Sequence, residues 1–304
     1  MLLKIAVDAG HGYLKAMAET GERVLFPSLI APAPVGPNLG DFAGSAPIQV
    51  NGQAYLIGES ARLTATSLFS RDKATDPLTL ALIWSAIAQL TGTGYHTVEL
   101  GVGLPLSWYA AQKTSLATAL RRAVDVDHCH LLIESVLVFP QGIGALLAID
   151  TLPDGLIALV DTGYRTVDYL VAQVQDGVPR PILDRSGTWQ NGMHVAYTAM
   201  AQRLEKETTI RYEPHELVER ESVTASGQRI QLEPCRAAAF QALAGELSRH
   251  LATAWDGIAE KLDTLFLAGG GALALHPYLN GLAAPTLLPD SQWANAQGYL
   301  GLMG

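Results

Sequence analysis

The sequence predicts an α/β protein of two similar halves, and three observations carry that prediction. Apolar β-forming stretches alternate with Ala- and Leu-rich helical runs along the chain. A segment near the N-terminus, KIAVDAGHGYLKAM (4–17), recurs as IALVDTGYRTVDYL (157–170), which aligns Asp8 with Asp161 and Gly10 with Gly163. Finally, 304 residues, about half of them apolar, suffice for two domains with a core each. Self-similarity at half the chain length predicts duplication.

The elements follow in order. Ile5, Ala6 and Val7 describe a buried strand running into Asp8; a glycine-containing turn and a second β-rich stretch complete a hairpin. Residues 24–80 are irregular and rich in turn formers (Pro32, Pro34, Gly36, Pro37, Gly40, Gly44), with strand-like pieces such as QAYLIG, so a small inserted subdomain with long loops is expected. Residues 78–92 have helical character, GVGLPL from Gly101 reads as a strand running into a loop, and 110–124 as an amphipathic helix. Leu159 and Val160 rebuild the strand and turn at Asp161. Gly192 precedes a helical run, 212–234 reads as polar loop, and CRAAAFQALAGELSRHLATAWDGIAEKL is strongly helical. The strand TLFLAGGGALAL ends in three glycines, and SQWANAQGYLGLM closes the chain as a helix. The expected boundaries are 1–150, carrying the insert at about 24–80 and completed by the closing helix 290–304, and 151–289.

Composition excludes several classes. A modest charged fraction with net charge −9 fits neither a disordered chain nor a broad direct nucleic-acid footprint. Cys129 and Cys235 lack metal-ligand or disulfide spacing, and His128 and His130 around Cys129 read as strand residues. The start MLLKIAVDAG lacks the apolar core of a signal peptide, and no segment reads as a membrane span. The expectation is a cytoplasmic protein with no membrane contact.

Three turns carry candidate chemistry. In Asp8-Ala9-Gly10-His11-Gly12-Tyr13-Leu14-Lys15, Gly10 and Gly12 allow a tight turn whose amides, through Tyr13, face phosphate oxygens. Lys15 would neutralise them, and Asp8 would hold Mg2+ through water; the plain alternative is a Gly-rich hairpin with an exposed lysine. In Asp161-Thr162-Gly163-Tyr164-Arg165-Thr166, the Gly163, Tyr164 and Arg165 amides and the Thr166 hydroxyl would grip the terminal phosphate from the opposite side. Asp161 would order the metal through water, while Asp168 reads equally as an exposed strand residue. Gly269, Gly270 and Gly271 follow an apolar strand and offer bare backbone to a purine or ribose, or else a helix cap.

Two Asp-x-Gly turns half a chain apart, then a strand ending in Gly-Gly-Gly, resemble the actin/Hsp70/sugar-kinase superfamily. That resemblance implies two ribonuclease-H-like (actin-fold) domains flanking a nucleotide cleft, with the Gly269–Gly271 run as adenosine motif. Phe26-Pro27-Ser28, Tyr55 to Ala61 (YLIGESA) and Gly103-Leu104-Pro105 are similar to ParM/Alp plasmid-segregation actins and archaeal actins. Pro140 to Ala145 (PQGIGA) and Ala294 to Tyr299 (ANAQGY) resemble the two segments connecting the domains. By position the resemblance gives Gln141 the role of orienting the attacking water and pairs it with Asp161 in hydrolysis. A neutral amide orients water but is a poor base, so slow hydrolysis follows.

The function implied is a filament-forming ATPase, using ATP or GTP with Mg2+, in plasmid or other DNA segregation through a DNA-binding adaptor protein. The alternatives are a small-molecule kinase or activator ATPase of the same superfamily, and a non-hydrolysing scaffold. A kinase would need a carboxylate base in a sugar-binding context, which the sequence does not offer. The intact Asp8, Lys15, Gln141 and Asp161 argue against the scaffold.

Overall fold

The structure is a computed structural model that describes residues 2–34, 46–65, 70, 72–279, 281 and 283–304. Of the insert's predicted turn formers, Gly36, Pro37, Gly40 and Gly44 lie outside the described residues. The chain divides into two compact units, Met1–Ala148 with Asn295–Gly304, and Ile149–Ala294.

The first unit opens with β1 (Leu2–Ala9), β2 (Tyr13–Ala18), β3 (Arg23–Pro27), β4 (Ile30–Pro32), β5 (Ile48–Val50) and β6 (Gln53–Ile57). Then come α1 (Pro77–Thr91), β7 (Gly94–Leu104), α2 (Leu106–Leu120), β8 (Ala123–Val126), β9 (Cys129–Pro140) and α3 (Ile143–Leu147). The sheet order is β3-β2-β1-β7-β9-β8-β5-β6-β4. Strands of the segment read as an insert therefore extend this same sheet, through the Val50–Val126 pairing of β5 with β8. Parallel β1, β7 and β9 are covered by helices, which is why Ile5, Val7, Leu100 and Val102 are wholly buried. Helix α1 starts where Asp76 accepts the Leu78 N–H and Pro77 occupies the first turn; it stops at Gly92, whose φ is 74°.

The second unit contains β10 (Gly155–Thr162), β11 (Val167–Gln175), β12 (Val178–Pro181), β13 (Gly187–Trp189), α4 (Met193–Thr208), β14 (Ser222–Ala225) and β15 (Gln228–Gln231). After α5 (Glu233–Ala254) come β16 (Thr264–Ala268), α6 (Ala272–Leu275) and β17 (Pro285–Leu287). Helix α7 (Ala294–Leu302) then returns the chain to the first unit. The order β12-β11-β10-β16-β17 repeats β3-β2-β1-β7-β9 position for position. The repeat extends to register, Asp8 facing Lys15 and Asp161 facing Asp168. Helices α4 and α5 bury Met200, Leu204, Leu243 and Leu247 in a separate core.

Three sequence readings are corrected, the first being the helical run 235–262, in which α5 ends at Ala254 and turns follow. The helix expected over 110–124 is α2, ending at Leu120, and 123–126 is a strand because Val124 and Val126 point inward while Ala123 and Asp125 point out. The expected loop 212–234 contains the hairpin β14–β15, closed by Ser226 and Gly227 with φ of 47° and 80°. Both central residues lie in the left-handed region that a type I′ turn requires. Among the described residues no helix is long and apolar enough to cross a membrane.

Candidate functional site

In the first unit the β1–β2 hairpin brings Asp8 and Lys15 face to face, and the Lys15 Nζ donates to Asp8 Oδ2 at 2.8 Å. Both side chains are buried. The other carboxylate oxygen, Oδ1, accepts from Gln141 Nε2 at 2.8 Å. Burial pushes the Asp8 carboxyl up. The Lys15 ammonium, reinforced by Lys73 and by the Gln141 hydrogen bond, outweighs burial and holds it below the usual carboxylate value. Lys15 is therefore not an exposed lysine on a plain hairpin.

The turn between the strands is tightly held. A side chain at Gly10 would put its Cβ 2.7 Å from the Tyr13 carbonyl oxygen, so only glycine fits. Ser28 fastens the turn from the end of β3: its hydroxyl donates to Gly10 O at 2.5 Å and its N–H to Gly12 O at 2.9 Å. Lys73, which is 2% exposed, reaches in from before α1 and donates to Ala9 O at 2.6 Å. The sequence alone assigns a role to neither Ser28 nor Lys73. Ser28 stands in the Phe26-Pro27-Ser28 tripeptide, whereas Lys73 has no local signal. The YLIGESA segment also acquires a contact, since Glu59 pairs with Arg62 and, against burial, holds its guanidinium above the usual value, with the Tyr13 phenol adding to it.

Gln141 sits in the turn between β9 and α3, its N–H bonded to Leu104 O at 2.8 Å. Gly142 takes φ 78° and starts α3 without a side chain to cap it. The cap comes from α7: Asn295 Oδ1 accepts the N–H groups of Gly142 at 3.1 Å and Ala145 at 3.2 Å. Helices α3 and α7 touch backbone to backbone; a Cβ on Gly298 would lie 1.8 Å from Gly144 O. Gly103 is bare because the Tyr299 ring occupies the space beside it.

In the second unit Asp161 lies at the end of β10, opposite Asp168, and both are buried. Two buried carboxylates directly opposite on one sheet face repel unless donors or a cation serve them. Asp168 accepts the Thr188 hydroxyl and so is not the exposed residue that the sequence equally allowed. The loop 163–166 is anchored by the start of α4. The Gly163, Tyr164 and Arg165 carbonyls accept from the N–H groups of Met193, His194 and Gly192, at 3.1, 2.8 and 3.0 Å. Thr166 is buried, and its carbonyl accepts the Gly163 N–H. The Tyr164 ring stacks on Tyr197, and burial raises its phenol, so a ligand would meet Tyr164 through its backbone. Burial, with the Arg165 charge adding to it, holds His194 below its usual value.

The three glycines are not equivalent. Gly269 takes φ 88°, and a Cβ there would lie 2.3 Å from Asp161 Oδ1; a Cβ at Gly271 would clash with Met193 and lie 3.1 Å from Thr162 O. Both are close-packing glycines against the Asp161 turn, and the Gly271 N–H donates to Thr162 O at 2.9 Å. Gly270 is exposed, and a Cβ there would meet nothing closer than 3.7 Å, which leaves it as bare backbone for a flat ligand. The structure thus groups Asp8, Gly10, Gly12, Tyr13, Lys15 and Gln141 in one unit, and Asp161, Gly163 to Thr166 and Gly269 to Gly271 in the other. Among the described residues there is no cluster of three or more His, Cys, Asp or Glu that could hold a metal ion.

Residues 6–144 match the family described as "Actin like proteins N terminal domain", and residues 159–281 the family described as "Archaeal actin homologue MreB-like, C-terminal". The chain is 24% identical to an archaeal actin homolog of Thermoplasma acidophilum, over 98% of each chain. It superposes on a subunit of a 15-stranded ParM filament from Clostridium botulinum with TM-score 0.85 and 21% identity, covering 99% of this chain and 98% of that one. With an archaeal actin homolog in complex with ADP the TM-score is 0.81 at 21% identity, over 99% of both chains.

Proposed function

Because the chain belongs to the actin-like proteins, in the group that takes in ParM/Alp-type and archaeal actins, we propose that it polymerises with a bound nucleoside triphosphate and hydrolyses it. The observation that carries this reading is the Asp8 turn, where a buried lysine and a glutamine amide each donate to one oxygen of a buried carboxylate. The Gly10 to Tyr13 amides bind phosphate oxygens and Lys15 neutralises their charge. Gln141, tethered to Asp8 by Nε2, presents Oε1 as an acceptor that orients a water. In the second unit the N–H groups of Tyr164, Arg165 and Thr166 and the Thr166 hydroxyl serve phosphate, while the Gly163 N–H, expected among the phosphate donors, instead closes the turn on Thr166 O at 2.9 Å; Asp161 supports hydrolysis, and Gly270 receives the base.

The residues fit a Mg2+ ion that the phosphates and water hold. Both Asp8 oxygens already accept hydrogen bonds, so that carboxylate can act on the ion's waters without binding it directly, and Asp161 is the corresponding carboxylate of the second unit. The ion supplies charge neutralisation on the phosphate oxygens. Similarity to a filament-forming ParM over nearly the whole chain supports head-to-tail self-assembly. Plasmid or other DNA segregation in the cytoplasm, through a DNA-binding adaptor, is the role this reading assigns.

Right-angle light scattering with Mg2+ and either ATP or GTP tests assembly: scattering should rise above a threshold protein concentration, and a flat trace over a wide range removes the filament. Asp161→Ala should lower phosphate release by at least about a hundredfold while keeping nucleotide binding. Unchanged turnover takes Asp161 out of the mechanism.

A further inference from the structure

We propose that Asn295 is the positioning residue for Gln141: from the first turn of α7 it sets the turn that aims the Gln141 side chain at Asp8. This rests on the reading of Gln141 as the water-orienting residue. The Gln141 backbone is fixed on one side by its N–H to Leu104 O. On the other side the chain turns through Gly142 into a helix of five residues, too short to hold itself by internal hydrogen bonds. Its first amides need an acceptor, and Gly142 has no side chain to supply one. Asn295 Oδ1 serves two of them, across 153 and 150 residues of sequence, and it is buried.

The placement of Asn295 is itself constrained. The glycine contact between Gly298 and Gly144, and the Tyr299 ring that fills the space beside Gly103 and Gly144, seat α7 directly against α3. Losing the Asn295 acceptor frees the Gly142 and Ala145 amides and lets the 141–142 turn rotate. Gln141 Nε2 then leaves Asp8, and Oε1 no longer points where the water must be. Misplacement on the scale of an ångström costs catalysis far more than it costs binding.

The test compares Asn295→Leu, which removes the acceptor at similar volume, with Asn295→Asp, which keeps it. Asn295→Leu should lower single-turnover phosphate release about tenfold or more while nucleotide affinity stays within about twofold. Asn295→Asp should restore most of the rate, and adding Gln141→Ala to Asn295→Leu should produce no further loss. Wild-type turnover in folded Asn295→Leu, a parallel fall in affinity and rate, or multiplicative losses with Gln141→Ala each overturn the proposal. A second readout does not depend on hydrolysis. In NMR spectra the Gln141 side-chain amide, identified by its disappearance in Gln141→Ala, should move to a solvent-exposed position in Asn295→Leu and stay put in Asn295→Asp. If the wild type binds nucleotide but releases no phosphate, the hydrolytic reading fails, and an unmoved Gln141 signal is then what overturns the positioning role. Should Asn295→Leu not fold, Asn295→Ser with its shorter hydroxyl provides the same comparison.

Discussion

Asp8 sits between opposing influences, burial pushing its pKa up and the Lys15 and Lys73 ammonium groups with Gln141 pulling it down further than burial raises it. A folded-state pKa below the unfolded one means that the native protein binds fewer protons. The stability Asp8 supplies is therefore complete above the ordinary carboxylate value of about 3.9 and is lost as pH falls through the lower folded value. Asp8→Asn leaves Lys15 buried without its counter-charge and should cost about 3–5 kcal/mol near neutral pH. Urea denaturation of both proteins from pH 7 down to about 2 should show that gap closing on the acid side; parallel curves would mean that Asp8 is not the charged partner. At this scale the sequence was uneven. Asp8, Gly10 and Lys15 were legible because a strand, a glycine and a lysine follow one another at short spacing. Ser28 and Lys73 reach the same turn from 18 and 64 residues away, and their bonds depend on where the chain happens to return.

Among elements, the glycine run after β16 shows how one motif divides into different jobs. Gly269→Ala forces a left-handed Cβ against Asp161 and should destabilise the second unit by at least about 2 kcal/mol. Gly270→Ala makes only ordinary van der Waals contact with Gln292 and should change stability by less than about 0.5 kcal/mol, yet weaken nucleotide binding because the base would rest there. Denaturation midpoints beside nucleotide titrations separate the two, and equal effects at both positions would refute the division. The sequence presented the three glycines as one platform because composition carries no information about which glycine faces a neighbour. It missed β8 for a related reason. Four alternating residues are too few to compete with the helical pattern just before them, and the strand is stabilised by pairing with β9. The hairpin β14–β15 was hidden in polar sequence, its signal confined to the Ser226-Gly227 turn.

For the whole molecule, net charge −9 bears on the proposed assembly, since identical subunits repel one another at long range. Raising ionic strength from 0.01 to 0.15 M shortens the screening length from about 30 to about 8 Å. The threshold concentration for assembly should therefore fall over that range in sedimentation assays, and a rise would show that complementary charges across the contact dominate. The α/β class and its duplication were readable from the sequence alone. Strand period, turn glycines and the recurrence of Asp8 at Asp161 are local or directly comparable properties, and the strand orders of the two sheets match accordingly. What only the tertiary structure decided is which groups meet: Lys73 at Ala9, Ser28 at Gly10, Gln141 at Asp8, and Asn295 beneath the Gln141 turn. Each is a hydrogen bond between segments far apart in sequence, and its partner is chosen by the packing of sheet and helices, which no short stretch of residues encodes.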